Sequence, residues 1–564
     1  MNSIFAQLAL ILSLSSVLGF ITYRFKLPLL IAYLTGGLLL SAIALIDVTK
    51  TSAFSFLPDI GIAFVLFLVG MELDLREIKS FGRQILISGV LQVIITSVLG
   101  TFIAQSFNFK LPEALYLGIG LSFSSTIVVV KLMIDKKELT SLHGKLSLGV
   151  LLLEDLLAVL ILLAMTSSVS LGFNVSDALP LTVFVVKVFL LFALALLLSH
   201  FVLPQIFKAV SDSPELLFLT ALAWCFAFIT IAQMAGFSIL IGAFLAGIAL
   251  ASSPYHFQIQ GKVKPLRDFF TTLFFVYLGT RVNFADLRQV YPLILIFSAY
   301  AVLVKPIIYL LIFGIFGFRK HTLFHTAINL SQISEFSLII LLIGLKMNIV
   351  SQSALTVIAL SSVLSIIGSS LIISRSRQIY KKISFLISFF ERESKYYKDA
   401  EVEKLENHVV LIGSHQVGEE IVKFLQKERI YYIVLDFNPL QVERLSQAKV
   451  PVIFGDMGDP EVLDLLNLST SKIVISTVPD LHASKLLIED VKEIGNIPVI
   501  VRADSVKEAK QLYKAGADFV YIPDLVSGHI LVDMLEGHLG DKEYFKKRPE
   551  IELEKLSKKT LAWE

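Results

Sequence analysis

The sequence predicts a polytopic α-helical membrane domain followed by an α/β domain with a parallel, Rossmann-like sheet. Three observations predict it: a mean hydropathy of +0.76 with 55% hydrophobic residues, thirteen apolar segments up to residue 374, and alternating short strands and helices after residue 407. A composition this apolar is typical of a chain with many membrane helices. The near-neutral net charge of +2 gives no indication of nucleic-acid binding.

The thirteen apolar segments are each close to the length of a membrane-spanning helix, which needs about 20 apolar residues. They cover 3–22, 27–46, 54–71, 84–106, 112–134, 143–166, 178–202, 214–233, 236–252, 266–281, 289–316, 321–345 and 350–374. Lys and Arg are concentrated in alternate loops, 18 in one set against 5 in the other. The positively charged set is predicted to be cytoplasmic. The N-terminus is then expected outside and the α/β domain inside.

The predicted domains are a membrane domain (1–374), a linker (375–406), a nucleotide-binding domain (407–540) and a C-terminal tail (541–564). The linker interleaves basic clusters with aliphatic and aromatic residues, a pattern typical of an amphipathic helix on the membrane surface. A plain helical connection is the alternative.

The first strand-to-helix turn of the α/β domain reads GSHQVG and comprises Gly413, Ser414, His415, Gln416, Val417 and Gly418. The first and third glycines of a dinucleotide fingerprint are present, and His415 replaces the second. Asp436, at the end of the second strand, is predicted to accept the ribose hydroxyls of an adenosine ligand. Further candidates follow later strands: Asp456, Met457 and Arg502. The predicted regulatory ligand is an adenine nucleotide (AMP, ADP, ATP or NAD(H)); a domain that serves only for dimerisation is the alternative.

Two adjacent acids, Glu154 and Asp155, lie in the middle of an apolar stretch. An ionisable group at mid-membrane costs about 2.5–3.5 kcal/mol on insertion scales and is functional by default. Neighbouring helix positions differ by about 100°, so at most one of the two acids points straight into a site. Lys305, followed by Pro306, is a third buried charge. The acids are its predicted partners, because a buried lysine needs a carboxylate.

Two distant apolar spans contain polar residues at their centres. Paired breaks of this kind indicate the crossed broken helices of an inverted-repeat transporter, and polar helix packing is the alternative. The predicted ion- and proton-binding set combines the breaks with the buried charges: Ser124, Ser125, Thr126, Glu154, Asp155, Lys305, Ser331, Gln332 and Glu335.

The chain resembles Kef-type members of the cation:proton antiporter-2 family over nearly its whole length, through the motifs LFLVGMELDLREIKSFG, LSFSSTIVVVKLM, GVLLLEDLLAVLIL, FFTTLFFVYLGTRVNF, NLSQISEFSL and HVVLIGSHQVG. The resemblance implies an NhaA-like antiporter fold of thirteen spans, a homodimer, an inner (plasma) membrane location and a cytosolic RCK, or TrkA-N-like, domain. It also implies that Asp155 binds the ion and exchanges the proton. Kef proteins typically carry Gln-Asp where this chain has Glu154 and Asp155.

The predicted function is antiport of K+ or Na+ against H+ by alternating access, without enzymatic activity. A carboxylate binds a dehydrated cation or a proton but not both, and hydroxyl and carbonyl oxygens at the breaks replace lost hydration. A ligand-gated potassium efflux channel is the alternative, although the sequence has no T-V-G-Y-G filter. A sensor that transports nothing is disfavoured by three buried charges.

The predicted partners are membrane lipid, a second copy of the chain and the nucleotide; an ancillary subunit, the ion and the charge stoichiometry stay open.

Overall fold

A computed structural model describes residues 4–25, 27–42, 57–72, 82–170, 178–251, 253–282, 287–392 and 405–563. The chain divides into two compact units, Met1–Arg392 and Glu393–Glu564. Part of the predicted linker therefore belongs to the first unit, as a helix over Ser376–Ile387. Each unit is described by itself.

The first unit is helical throughout its described residues. Its helices are α1 (Ile4–Arg24), α2 (Leu29–Ala42), α3 (Leu57–Glu72), α4 (Gly82–Ser106), α5 (Leu111–Ser122), α6 (Thr126–Lys136), α7 (Leu142–Ser170), α8 (Ala178–Phe201), α9 (Leu203–Val210), α10 (Pro214–Met234), α11 (Ile239–Ala251), α12 (His256–Thr280), α13 (Leu287–Ala299), α14 (Lys305–Ile315), α15 (Lys320–Asn329), α16 (Glu335–Lys346), α17 (Gln352–Ser374) and α18 (Ser376–Ile387). A π-helical turn, Tyr300–Val304, joins α13 to α14.

Among the described residues, seven helical segments are long and apolar enough to cross a membrane, or eight if a pair bent by 44° after Phe201 counts as one span. Within the described residues two other predicted spans have shorter helices, α2 with 14 residues and α11 with 13, and each of them ends where its described stretch ends. At 1.5 Å per residue, 13 residues reach about 20 Å, less than the roughly 30 Å hydrocarbon core. The architecture is that of a multi-helix membrane domain, and the count of thirteen spans stays a prediction.

Helices of the first unit approach closely where glycines face each other. A Cβ on Gly37 of α2 would lie 2.1 Å from the carbonyl oxygen of Val276 in α12, and a Cβ on Gly247 of α11 would lie 2.1 Å from that of Phe67 in α3. Small residues are enriched at membrane helix interfaces because they let backbones meet. These contacts let the paired helices of the first unit pack closely.

The second unit contains a six-stranded parallel sheet in the order β3-β2-β1-β4-β5-β6. The strands are β1 (Val409–Ile412), β2 (Tyr432–Asp436), β3 (Val452–Phe454), β4 (Ile473–Ser476), β5 (Val499–Arg502) and β6 (Phe519–Tyr521). The helices are α19 (Gln416–Lys427), α20 (Pro439–Gln447), α21 (Pro460–Asp464), α22 (Leu481–Ile494), α23 (Val506–Lys514), α24 (Pro523–His538) and α25 (Lys542–Trp563). The predicted Rossmann-like parallel sheet is confirmed.

The centre of this sheet is apolar on both faces, because helices cover a doubly wound sheet from both sides. Val410 pairs with Ile433 on one side and with Val474 on the other, and all three side chains are fully buried. The strand order reverses between β1 and β4. Ligands of open α/β sheets bind at the carboxyl ends of the strands at such a switch point, and the GSHQVG turn follows β1 there.

Candidate functional site

The two predicted helix breaks contact each other directly. The first separates α5 from α6 at residues 123–125, and the second separates α15 from α16 at residues 330–334. Ser334 N donates to the carbonyl oxygen of Phe123 at 3.0 Å, and Ser124 Oγ donates to that of Leu330 at 3.1 Å. The structure therefore brings together two polar stretches that lie some two hundred residues apart in sequence.

Each break leaves backbone donors at the start of one half-helix and acceptors at the end of another. The buried charges complement them, as helix dipoles favour. Glu154 Oε2 accepts from Ser124 N at 2.6 Å, and Asp155 Oδ2 accepts from Thr126 Oγ1, at the start of α6, at 2.8 Å. Glu335, 7% exposed, is the first residue of α16. Three carboxylates thus lie at the positive ends of half-helices.

Glu154 is fully buried and its second oxygen, Oε1, accepts a hydrogen bond from the hydroxyl of Tyr309. The sequence analysis did not find Tyr309. The available signal was its spacing from Lys305, because residues four apart share one face of a helix. Glu154 is therefore held on both oxygens, by a backbone donor and by a tyrosine.

Lys305 is fully buried, and in the structure it reaches the predicted acid Glu154 through Ser124 and not by direct contact. Its Nζ donates to Ser124 Oγ at 2.9 Å and to the carbonyl oxygen of Gln332 at 3.2 Å, and it forms no ion pair with the described carboxylates. Ser124 stands between the charges, because its hydroxyl accepts from Lys305 while its backbone N–H donates to Glu154. The second acceptor of the lysine is a backbone carbonyl oxygen of the second break.

Pro306 follows Lys305 in the first turn of α14. The structure has the π-helical turn Tyr300–Val304 immediately before Lys305. Proline lacks the N–H that would continue the hydrogen-bond ladder, and π-bulges occur where that ladder is interrupted. The π-helical turn therefore ends directly before Lys305, the first residue of α14.

Some of the other predicted residues of the breaks hydrogen-bond to nearby backbone groups, and one of them has a side-chain oxygen without a hydrogen bond to the described residues. Ser331 Oγ donates to the carbonyl oxygen of Ile328 at 2.6 Å, and Ser125 Oγ accepts from Val128 N at 3.4 Å. Gln332 Nε2 donates to the carbonyl oxygen of Ser125 at 3.4 Å, whereas Gln332 Oε1 is buried without a hydrogen bond to the described residues. The amide oxygen of Gln332 is thus an oxygen of the crossing that a dehydrated cation can use.

Two further amide side chains support the crossing. Gln92 of α4 donates from Nε2 to the carbonyl oxygen of Ser122 at 3.0 Å, which satisfies the end of α5. Asn329 donates from Nδ2 to Ser147 Oγ at 3.2 Å and so joins α15 to the helix that carries the acids. Gln92 was missed, and its signal was an amide near the middle of a predicted membrane span.

In the second unit, both glycines of the GSHQVG turn are required sterically. Gly413 has φ +86°, and a Cβ there would lie 2.6 Å from Thr477 Oγ1. A Cβ on Gly418 would lie 2.1 Å from the carbonyl oxygen of Gly413. These are the tight-turn and close-packing roles of the first and third fingerprint glycines. His415, in place of the second, precedes α19 as its N-cap residue and is exposed.

Asp436 is buried at the end of β2 and contacts the glycine turn. Its Oδ2 accepts from Ser414 N at 2.8 Å and from Ser414 Oγ at 2.5 Å, and its Oδ1 accepts from Asn438 N at 2.9 Å. An ionised carboxylate has about four acceptor positions. Three of these positions are used, so one ribose hydroxyl can take the fourth and a second needs to replace only the serine hydroxyl.

The remaining candidates lie after β3, β5 and β1. Asp456 Oδ1 accepts from Gly458 N at 2.9 Å, Met457 Sδ accepts from Ser476 Oγ at 3.5 Å, and Arg502 forms an ion pair with Asp504 at 2.9 Å. Gln416 and Val417 begin α19. Thr477, which the sequence analysis missed, donates to the carbonyl oxygen of Gly413 at 3.0 Å. Its position after the strand beside β1 was the available signal.

Both units match known families. The profile described as "Sodium/hydrogen exchanger, transmembrane" matches residues 9–375, and that of the TrkA-N domain matches residues 409–523. A putative K+ efflux antiporter KefB of Alkalimonas amylolytica is 27% identical over 93% of this chain and 80% of its own length. The glutathione-regulated potassium-efflux system protein KefC of Klebsiella pneumoniae is 25% identical over 88% of this chain and 79% of its own.

A solved structure resembles the first unit. The sodium proton antiporter MjNhaP1 from Methanocaldococcus jannaschii superimposes with a TM-score of 0.53 at 16% sequence identity, over 67% of this chain and 98% of that chain. At this identity the likeness shows a shared fold.

Proposed function

The chain belongs to the sodium/hydrogen exchanger family with a C-terminal TrkA-N domain, and on that premise we propose that it is a secondary antiporter, not an enzyme, that exchanges K+ for H+ by alternating access. The observation that carries the proposal is the set of buried carboxylates at the crossing of two broken helices. The names of the curated relatives, which are K+ efflux antiporters, support K+ over Na+.

Asp155 is the group proposed to exchange the proton. One of its oxygens accepts from Thr126, which orients the carboxylate toward the start of α6. The hydroxyls and carbonyls of the two breaks and the amide oxygen of Gln332 supply neutral ligands for a dehydrated monovalent cation. Since the cation and the proton require the same lone pairs, binding of one releases the other.

Glu154, Lys305 and Tyr309 are proposed to keep their charges and contacts throughout the cycle. Glu154 uses both oxygens within the protein, and Lys305 donates to two oxygens of the crossing. A residue that must change protonation would have to abandon these buried hydrogen bonds, each worth about 1.5–3 kcal/mol when a charged group takes part. Only Asp155 then cycles, so one proton is exchanged per ion and transport is electroneutral.

Ion fluxes in proteoliposomes test the proposed function. A pH gradient is imposed with the membrane potential clamped to zero, and KCl or NaCl is added outside. We expect K+ addition to move protons in the opposite direction and to dissipate the pH gradient. A channel gives the contrary result: K+ moves down its gradient, builds a potential when the clamp is removed, and leaves the pH gradient unchanged.

We further propose that the cytosolic unit binds an adenine nucleotide that regulates exchange, with Asp436 and the backbone of residues 413–418 at the ribose and phosphate. The steric roles of Gly413 and Gly418 and the switch-point position support this. Thr477 and Arg502 lie at the same edge of the sheet, after β4 and at the end of β5. Whether the nucleotide is AMP, ADP, ATP or NAD(H) is decided by competition binding.

Asp436→Ala is expected to weaken adenine-nucleotide binding at least tenfold, because it removes the ribose acceptor and the carboxylate that holds Ser414. Calorimetry on the full-length protein in detergent measures this. Asp464→Ala, which removes an exposed carboxylate at the end of α21, is the matched control and should bind like the parent. Equal affinity of Asp436→Ala and the parent would refute the assignment.

The antiporter is also proposed to be a homodimer with its N-terminus outside and its second unit in the cytoplasm. Loop charge supports the orientation. Helix α24 has no buried residue and exposes an apolar surface formed by Leu525, Val526, Ile530, Leu531, Val532 and Leu535. A contiguous exposed apolar surface marks an interface, and its proposed occupant is a second copy of the chain.

A further inference from the structure

A cluster of ionisable side chains that the exchange mechanism does not use lies where the loop after α6 meets α7 and α15. Glu138 follows α6, His143 is in the first turn of α7, and His325 is on α15. One ligand atom from each of the three lies within 4.8 Å of the other two. Their exposed fractions are only 8%, 6% and 2%. Three metal-ligating side chains from separate elements therefore converge in a buried position.

The distances suit a small metal ion. His143 Nε2 lies 3.5 Å from Glu138 Oε2. A tetrahedral Zn²⁺, bound at 2.0–2.1 Å by nitrogen and oxygen, holds its ligand atoms roughly 3.4 Å apart. The ring centroids of His143 and His325 are 5.0 Å apart. Small side-chain rotations complete the three-ligand arrangement.

We propose that Glu138, His143 and His325 form a binding site for a divalent transition metal of the zinc class. Two imidazoles and one carboxylate are donors typical of Zn²⁺ sites with an open fourth position, whereas Mg²⁺ and Ca²⁺ take oxygen ligands. His321 lies one turn before His325 on α15, with ring centroids 4.4 Å apart, and is the nearest additional imidazole. It is available to occupy the fourth position or to orient His325.

Lys136 forms an ion pair with Glu138, which is the carboxylate that the metal would bind. Its Nζ lies 3.0 Å from Glu138 Oε2 and also donates to Ser376 Oγ at 2.7 Å. Metal binding repels the ammonium from Glu138 and leaves it with Ser376, the first residue of α18. A cation is unfavourable at a helix N-terminus, so the start of α18 has to adjust when the metal binds.

The proposed metal therefore acts on two elements that matter for transport. It ties α15, which ends at the crossing, to α7, which carries Glu154 and Asp155. It also changes the contact that anchors α18, where Tyr380 already packs against His321 with ring centroids 5.2 Å apart. Micromolar Zn²⁺ added on the side of this cluster is expected to slow exchange severalfold.

Cobalt binding tests the site directly. The full-length protein is purified in detergent with a tag that contains no histidine, stripped with chelator and titrated with Co²⁺. The visible absorption of a low-coordinate Co²⁺ complex should reach one ion per chain and be displaced by Zn²⁺. The double substitution His143→Gln and His325→Gln should weaken binding about 100-fold or more, since even supporting residues of metal sites are worth 10–100-fold.

Matched variants separate ligation from folding. His200→Gln changes an exposed histidine outside the cluster and should bind Co²⁺ like the parent. If the double variant loses its metal-free thermal transition, Glu138→Gln, which keeps the shape of the side chain, replaces it and should shift the cobalt spectrum. A parent that binds no Co²⁺ at micromolar concentration, or variants that bind it unchanged, would overturn the proposal.

Discussion

Asp155→Asn should reduce K+-driven proton movement to the level of protein-free liposomes. The amide is nearly the same size as the carboxylate and can still contact Thr126, but it can neither take up a proton nor balance a cation. Fluorescent pH measurements in proteoliposomes quantify the loss. Size-exclusion profiles and thermal transitions like those of the parent should accompany it, because the proposed defect is in exchange and not in folding.

The matched control is Asp135→Asn, which makes the same chemical change at an exposed position of α6. It should transport like the parent. Cation-coupled proton flux that persists in Asp155→Asn would show that another carboxylate exchanges the proton. Glu335, at the start of the second half-helix, would then be the first to test, because it is the other buried carboxylate at a half-helix start.

Lys305→Gln should have the largest effect on stability. Lys305 is a fully buried cation linked to Glu154 through Ser124, so its removal takes a positive charge away from the surroundings of a fully buried carboxylate. Removing one member of a buried charge pair typically costs about 3–5 kcal/mol. A strong fall in the thermal transition of the detergent-solubilised protein is expected. The double variant Glu154→Gln with Lys305→Gln should recover much of it, because no charge then lacks a partner.

The same variants test the charge stoichiometry. Because Glu154 and Lys305 are proposed to keep their protonation states, the parent should exchange ions on a solid-supported membrane without a sustained current. Glu154→Gln should change stability or pH dependence more than stoichiometry. A transport current in the parent that disappears in Lys305→Gln would mean that the lysine releases its proton during each cycle.

The crossing could be predicted because two distant apolar spans both contain polar residues at their centres. Serines, a threonine, amides and acids inside apolar spans are costly in lipid, and the pairing of two such stretches indicated one site. Gly413 and Gly418 were equally predictable, because only glycine fits a turn at positive φ and a Cβ-free contact between strand and helix.

The partner of Lys305 could not be predicted in the same way. Sequence establishes that a buried lysine needs acceptors, but whether carboxylates or backbone carbonyls supply them depends on which groups meet across helices far apart in the chain. At the second break, the carbonyl oxygen of Gln332 accepts a hydrogen bond from Lys305. Ser124 contacts both charges, because its backbone N–H donates to Glu154 and its hydroxyl accepts from Lys305. In the sequence, Tyr309 is one more aromatic residue of an apolar helix, and only the structure shows that its hydroxyl contacts Glu154.

The number of spans stays a prediction, because hydropathy alone does not determine it. Apolar length identifies a straight spanning helix, but a broken helix and a short apolar helix give nearly the same hydropathy. The described parts of α2 and α11 are apolar and have 14 and 13 residues, and the predicted span 321–345 is two helices, α15 and α16, separated by the second break.

Competition between the cation and the proton for Asp155 is the central claim, and proton release on K+ binding tests it most directly. The purified protein in weakly buffered detergent solution is titrated with KCl, and released protons are measured with a pH indicator. Ligands that must lose a proton to bind a cation release it in proportion to binding. The account predicts about one proton released per K+ bound in the parent and none in Asp155→Asn. K+ binding without proton release in the parent would contradict it.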